Sequence, residues 1–232
     1  MSRFFVPATS PEDWKSLLAE PDKHWREGYS AKLLADCWQG ANDFPASVKR
    51  IFRNSEIRLF RDVKLLLAFP EYKVALPPRG GRPSQNDIFI LAEGNNELVS
   101  ITVEGKVAES FDRTIAEWKA DDGKGKETRL TFLCALLQLD KEQIGHIRYQ
   151  LLHRTASAII EGKRFKAENA LMLVHSFGHK RGEDNEGFAD YCRFLELFGV
   201  RGKIDSLKFA KNLDGIDLFF GWVKENPTVA VR

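Results

Sequence analysis

The chain has 232 residues, of which 43% are hydrophobic and 29% charged, with a formal net charge of +2. That length holds one α/β domain with a sizeable core, or at most two small ones. The near balance of charge excludes a globally basic field, so any affinity for nucleic acid has to come from local patches.

The three cysteines, Cys37, Cys134 and Cys192, are odd in number, far apart and set in apolar helical contexts. They read as buried thiols in a reducing compartment, not as a disulfide framework or a zinc site. No apolar run approaches the length of a membrane span, and the opening stretch from Met1 to Ala8 lacks the apolar region of a signal peptide. A cytoplasmic location without membrane partners is the expectation.

The N-terminal portion, residues 1–59, is expected to be helical. Ser10, Pro11 and Asp13 are a helix start, with Trp14, Leu17 and Leu18 on the buried face. A second helix runs from about Ser30, with Leu33, Leu34, Cys37 and Trp38 inward. After the break from Gly40 to Pro45, the residues Val48, Ile51 and Phe52 mark a third.

The apolar run from Val63 to Phe69, continued past Pro70 by Tyr72 to Leu76, reads as a first, bent strand. The loop from Pro77 to Pro83 is stiffened by proline, opened by glycine and carries Arg79 and Arg82. Two strands follow, Asn86 to Ala92 and Leu98 to Val107, joined by the turn-like segment from Glu93 to Glu97. They should form an antiparallel hairpin. On the second strand Val99, Ile101, Val103 and Val107 share one face, while Glu104 and Lys106 share the other, roughly 7 Å apart. The hairpin carries Asp87 close to both. Two carboxylates and a lysine meeting at one hairpin end suit a divalent cation and a phosphate. The plainer reading is a cross-strand ion pair at a sheet edge.

Beyond the hairpin, Ser110 is expected to cap a helix bearing Phe111, Ile115 and Trp118. Residues 121–126 form a polar loop, and Leu130 to Leu137 a buried helix. Asp140 and Gln143 frame a capping box for a helix ending near Gly162, with Ile144, Ile147, Leu151, Leu152 and Ile159 as its core stripe. Gln150, His153, Arg154 and Ser157 lie on a polar flank of that helix. Asn169 to His175 reads as another core strand. The charged loop from Gly178 to Gly187 is flanked by His175 and His179, which lack a third metal ligand. Phe188, Cys192 and Leu195 mark a helix, and Ile216, Leu218, Phe220 and Trp222 a last strand without an assigned place in the sheet. No Gly-rich nucleotide-binding motif stands at a strand–helix junction.

Asp87 on one strand, followed on the next by Glu104-Gly105-Lys106, resembles the signature of the PD-(D/E)XK nuclease superfamily. The chain departs from that signature at Asn86, where the superfamily often has proline. The resemblance implies an α/β fold with a restriction-endonuclease-like αβββαβ core, a mixed central sheet and additional flanking helices. It places the core at about residues 63–177 of a single domain over 1–232, with an extension at 186–232. It implies Asp87, Glu104 and Lys106 as catalytic residues, with Mg2+ or Mn2+ held by Asp87, Glu104 and the Gly105 carbonyl.

A helix preceding the three strands often supplies a further acid in the superfamily. Asp36 and Glu56 are the candidates, with a solvated surface charge as the alternative for each. Gln150 and Arg154 become candidate auxiliary residues, or else part of an ordinary solvated helix face. Arg79 and Arg82 become candidate phosphate-backbone contacts, or else an unliganded basic loop. The implied activity is magnesium-dependent hydrolysis of phosphodiester bonds in nucleic acid, DNA foremost, and a homodimer would suit cutting of both strands. The alternative is a non-catalytic nucleic-acid-binding or assembly module on the same fold.

Overall fold

The structure is a computed structural model that describes residues 8–41, 43–107, 110–120, 123–178 and 186–225. Its centre is a six-stranded mixed sheet in the order β1-β2-β3-β4-β6-β5. The strands are β1 (Lys64–Val74), β2 (Ser84–Gly94), β3 (Glu97–Lys106), β4 (Asn169–Phe177), β5 (Ser206–Leu213) and β6 (Ile216–Glu225). The first three pair antiparallel. β4 lies parallel to both β3 and β6, and β5 closes the edge antiparallel to β6.

Helices cover both faces. On one lie α1 (Pro11–Lys15), α3 (Ser30–Ala41), α4 (Ala46–Arg53) and α5 (Arg58–Arg61), with the short α2 (Pro21–His24) beside α3. On the other lie α6 (Ile115–Ala120), α7 (Lys124–Leu137), α8 (Tyr149–Phe165) and α9 (Glu186–Glu196). Strand alternation divides the core between the two faces. Val99, Ile101 and Val103 of β3 pack among Leu34, Trp38 and Phe60 on the first. Ala170, Met172 and Val174 of β4 pack with Leu151, Leu152 and Ile159 of α8 on the second.

Both hairpins are closed by residues that tolerate positive φ. Asn95 and Asn96, at +51° and +64°, form the two-residue turn between β2 and β3. Asp214 and Gly215, at +52° and +90°, do the same between β5 and β6. Such turns match the twist of the strands they join.

α8 is the crossover from β3 to parallel β4, and two hydroxyls set its position. Ser100 donates to the Ala158 carbonyl at 2.8 Å and Thr102 to the Arg154 carbonyl at 3.1 Å. Residues two apart on the strand thus meet carbonyls four apart on the helix, which fixes which helix residues stand above Glu104 and Lys106.

The first strand runs past Pro70 as expected, because β1 is an edge strand and Pro70 stays in register with Ile88. Elsewhere the structure departs from the sequence expectations. The helix after the hairpin starts at Ile115 and is capped by Thr114, with Glu117 accepting from the Thr114 N–H at 2.7 Å; Ser110 is not its cap. The single helix expected from Asp140 to Gly162 is split into a 3-10 turn, Lys141–Gln143, and α8. Between them, residues 145–149 are bound to residues 113–116: Ile115 N–H donates to the Ile147 carbonyl at 2.8 Å, and Tyr149 N–H to the Arg113 carbonyl at 3.0 Å. α7 begins at Lys124, inside the expected loop. β6 is an interior strand, and β5 was not anticipated. Among the described residues no helix is long and apolar enough to cross a membrane.

One close approach ties the hairpin to the N-terminal helices. A Cβ on Gly94 would come within 2.0 Å of the Leu59 carbonyl oxygen, a backbone atom that cannot turn aside. Gly94→Ala should therefore cost about 3 kcal/mol, measured by denaturant unfolding. A loss within experimental error would show that α5 and the β2–β3 turn are not in such contact.

Candidate active site

The site lies where the sheet forks. The β2–β3 ladder stops at Ile88↔Val103, yet β2 stays paired with β1 out to Ser84↔Val74, and β3 with β4 out to Lys106↔Ser176. Beyond Ile88 and Val103 the two strands part, and Asp87 reaches across the gap. Its Oδ2 accepts a hydrogen bond from the Gly105 N–H at 2.7 Å, in place of a ladder bond. In a strand a residue's N–H and C=O point to the same side, so the Gly105 carbonyl also turns toward the gap.

Glu104 and Lys106 lie under α8, and both are buried, at 3% and 6% exposure. The Arg154 Nε donates to Glu104 Oε2 at 2.6 Å, and the Gln150 amide nitrogen donates to Oε1. Lys106 Nζ lies 3.3 Å from Glu104 Oε1 and donates to Gln150 Oε1 at 2.9 Å. It also sits over the Phe111 ring, 4.6 Å from the centroid. Gln150 and Arg154 therefore face the acid–lysine pair, and Arg154 is buried; the solvated-face reading does not hold for them. Asp87, Glu104, Lys106, Gln150 and Arg154 all line one cavity of about 880 Å³.

A sixth residue of that cavity, Glu71, was missed from sequence. It stands in the middle of β1 with φ +52°, a left-handed conformation that costs a non-glycine residue about 1–3 kcal/mol and that clusters at functional sites. Gln85 holds it with a 2.8 Å hydrogen bond from Nε2 to Oε2. The expected helix acids are elsewhere: Asp36 is exposed on α3 and Glu56 is exposed before α5, and neither lines the cavity. The usable signal for Glu71 was its place on a strand paired with that of Asp87, between Pro70↔Ile88 and Tyr72↔Asn86.

The electrostatics are those of crowded carboxylates. Burial, then the Glu104 charge, pushes the Asp87 carboxyl up to about 7. Burial, then the Asp87 charge, pushes Glu71 up to about 8. Burial also raises Glu104, but the charges of Arg154 and Lys106 outweigh it and hold Glu104 below the usual carboxylate range. Among the described residues at the fork itself, the three acids Glu71, Asp87 and Glu104 stand against Arg154 and Lys106, while the exposed Lys23 and Arg82 and the acid Asp112 also line the cavity. Hard oxygen donors suit a divalent cation such as magnesium. Asp87, Glu104 and the Gly105 carbonyl are the groups that would hold it, with Glu71 as a further oxygen donor.

A second cluster has the residue types of a metal site but not the chemistry. The donor atoms of Cys37, His175 and Glu225 lie within 4.8 Å of one another. Trp38 Nε1–H, which can only donate, is 3.0 Å from His175 Nδ1. The imidazole proton is therefore on Nε2, which lies 3.1 Å from Glu225 Oε2 and has no lone pair to offer. Burial, then the Glu225 charge, pushes the Cys37 thiol up to about 12, and the thiol donates to Glu225 Oε2 at 3.7 Å. Ser47 completes the group, donating to Glu225 Oε2 at 2.5 Å. The result is a lock joining α3, α4, β4 and β6, with Cys37 and Glu225 as further donors beside His175 that the sequence did not reveal; His179 lies outside the described residues.

Of the two loop arginines, Arg82 is exposed at the rim of the cavity, whereas Arg79 is exposed away from it. At Gly105 an added methyl group would meet Asp87 Oδ2 at 3.4 Å and Leu34 at 3.5 Å, ordinary contacts that do not by themselves demand glycine.

A carboxyl raised from 4.5 to about 8 on folding holds its proton more tightly in the folded than in the unfolded chain. Its contribution to stability is complete below pH 4.5 and is lost as pH rises through 8. Glu71→Gln cannot ionise, and it keeps an oxygen for Gln85. In chelator the variant should melt several degrees above wild type at pH 8.5, with the difference shrinking toward pH 4.5. Melting curves that stay superimposed at both pH values would show that Glu71 is not under this strain.

No curated protein matches the sequence, and no solved structure matches the fold. Residues 7–227 match the family described as Domain of unknown function (DUF6946), and the chain belongs to that family.

Proposed function

We propose that the protein is a magnesium-dependent nuclease that hydrolyses phosphodiester bonds of nucleic acid, with DNA as the first substrate to try. The observation that carries this reading is the convergence of Asp87, Glu104 and Lys106 at the fork between β2 and β3. It is supported by the strand order. An antiparallel β1-β2-β3 meander followed by α8 and parallel β4 is the arrangement expected of a restriction-endonuclease-like core. Gln150 and Arg154 on the crossover helix face that core's acid and lysine.

A bound magnesium ion would supply charge neutralisation at the phosphate oxygens and acidify a water. The chain's own residues do the rest. Asp87 and Glu104 present oxygens from the two sides of the fork. Lys106, restrained by Gln150 and the Phe111 ring, places a positive charge beside them. It can orient the attacking water and offset charge that builds on the phosphorane-like transition state. Arg154 holds one Glu104 oxygen in a fixed direction, so the carboxylate is oriented before substrate arrives. Arg82 at the rim is placed to meet the incoming backbone as a bidentate phosphate donor.

One observation favours the rival reading, a non-catalytic binding module. Both Glu104 oxygens already have cationic or amide partners, a closed network that is satisfied without an ion. The two readings separate on Asp87 and Lys106. Under the nuclease reading, Asp87→Asn and Lys106→Ala each reduce magnesium-dependent cleavage of single- and double-stranded DNA at least about a thousandfold. Circular dichroism should show both variants folded, and calorimetry should show manganese binding lost in Asp87→Asn. Cleavage that survives in both variants, or absence of manganese binding to wild type, would sink the assignment.

A further inference from the structure

The cavity that holds Asp87, Glu104 and Lys106 has a rim that hydrolysis itself does not use. One wall is the N-terminal segment between Leu18 and Ala31, and the facing wall includes Asp112 and Gln150. Between the walls the groups at the bottom are nearly closed off: Glu104, Lys106 and Arg154 are only 3%, 6% and 7% exposed. A space of about 880 Å³ is that of a small-molecule pocket. A flexible strand can descend into it. A duplex is stiff over such distances and would lie across the rim, holding its phosphates above the buried groups.

The rim also carries an exposed aromatic ring. Tyr29 is 44% exposed, and among the described residues it is the one Phe, Tyr or Trp that lines the cavity. The other exposed large hydrophobic residues, Ile204 and Phe209, do not line it. The backbone under the ring is fixed. Tyr29 N–H donates to the Arg26 carbonyl at 3.1 Å, and the Tyr29 carbonyl accepts from the Leu33 N–H of α3 at 3.1 Å. Nearby, Trp25 packs against the core and donates from Nε1 to Glu12 Oε2 at 3.0 Å, which ties the segment to α1.

Two cations share the rim. Lys23 and Arg82 line the same cavity and are exposed. Lys23 is paired with Glu20 at 3.1 Å, but both side chains are more than half exposed, so the contact is weak and readily exchanged for a phosphate. A positively charged groove with an aromatic platform is the arrangement that holds single strands. A base inside a duplex has both faces covered by its neighbours, whereas an unpaired base can lay one on a ring.

We propose that the cavity takes nucleic acid as an unpaired strand, with a base beside the scissile phosphate stacked on Tyr29 and flanking phosphates met by Lys23 and Arg82. The proposal rests on the nuclease reading for its chemistry and adds the class of substrate. Binding is measured by fluorescence anisotropy of a labelled DNA single strand in calcium, which takes the same oxygen ligands as magnesium. Low salt keeps the phosphate contacts strong enough to measure in every variant. Tyr29→Ala should bind at least about tenfold more weakly than wild type, and Tyr29→Phe, which keeps the ring, should restore the affinity. On a sugar–phosphate strand without bases, wild type and Tyr29→Ala should agree to within about twofold, because nothing is left to stack. Wild-type affinity in Tyr29→Ala overturns the proposal. So does an equal loss on the baseless strand, which would mark Tyr29 as merely structural.

Cleavage gives the second arm. With magnesium, the single strand should be cut at least about tenfold faster than its blunt duplex. Equal or faster cutting of the duplex overturns the proposal. If neither is cut while the strand binds through Tyr29 as described, the nuclease reading fails and the strand site stands. If wild type does not bind the single strand, the strand site fails whatever the cleavage assay shows.

Discussion

The contact between Arg154 and Glu104 is the constraint around which the site is arranged. A carboxylate at 3% exposure in the middle of a sheet is tolerable only when its charge is met and its oxygens are bonded. Arg154 meets the charge and bonds Oε2 from α8, which Ser100 and Thr102 seat above β3, while Gln150 and Lys106 take Oε1. Once that helix is there, Gln150, one turn earlier, falls between Glu104 and Lys106 and bonds to each. Asp87 then faces a negative neighbour that cannot easily take up a proton, and its own carboxyl, with Glu71 behind it, rises instead. Burial raises all three carboxyls, and the charges of Arg154 and Lys106 together bring only Glu104 below its ordinary range.

The parts of the molecule written in local patterns were legible. Alternation in Leu98 to Val107 and the turn at Asn95-Asn96 were sufficient to bring Asp87 beside Glu104 and Lys106. The i, i+4 spacing of Gln150 and Arg154 placed them on one flank, although nothing local said which way that flank faced. What decided it was the seating of α8 on Ser100 and Thr102, a contact between residues more than fifty positions apart.

Other features were hidden for physical reasons. Glu71 sits beyond a proline in a strand whose apolar pattern stops at Phe69, so its role is visible only through its pairing with β2. β5 escaped because an edge strand carrying Lys208, Lys211 and Asn212, with a register shift between Phe209 and Lys211, has no clean alternation. Its Asp214-Gly215 turn was the overlooked cue. Helix boundaries at 110–115 and 140–149 were misplaced because backbone groups there bond to each other across the chain.

The hydroxyls of Ser100 and Thr102 also bear on how the assembly responds to force. They peg two successive turns of α8 to a single strand, and each carbonyl they hold can be reached from only one helix position. Sliding the helix by a single residue would unseat both pegs together. The spacing between carboxylate and guanidinium is thus set by neutral contacts deeper in the sheet. The charges ride on a ruler that carries no charge.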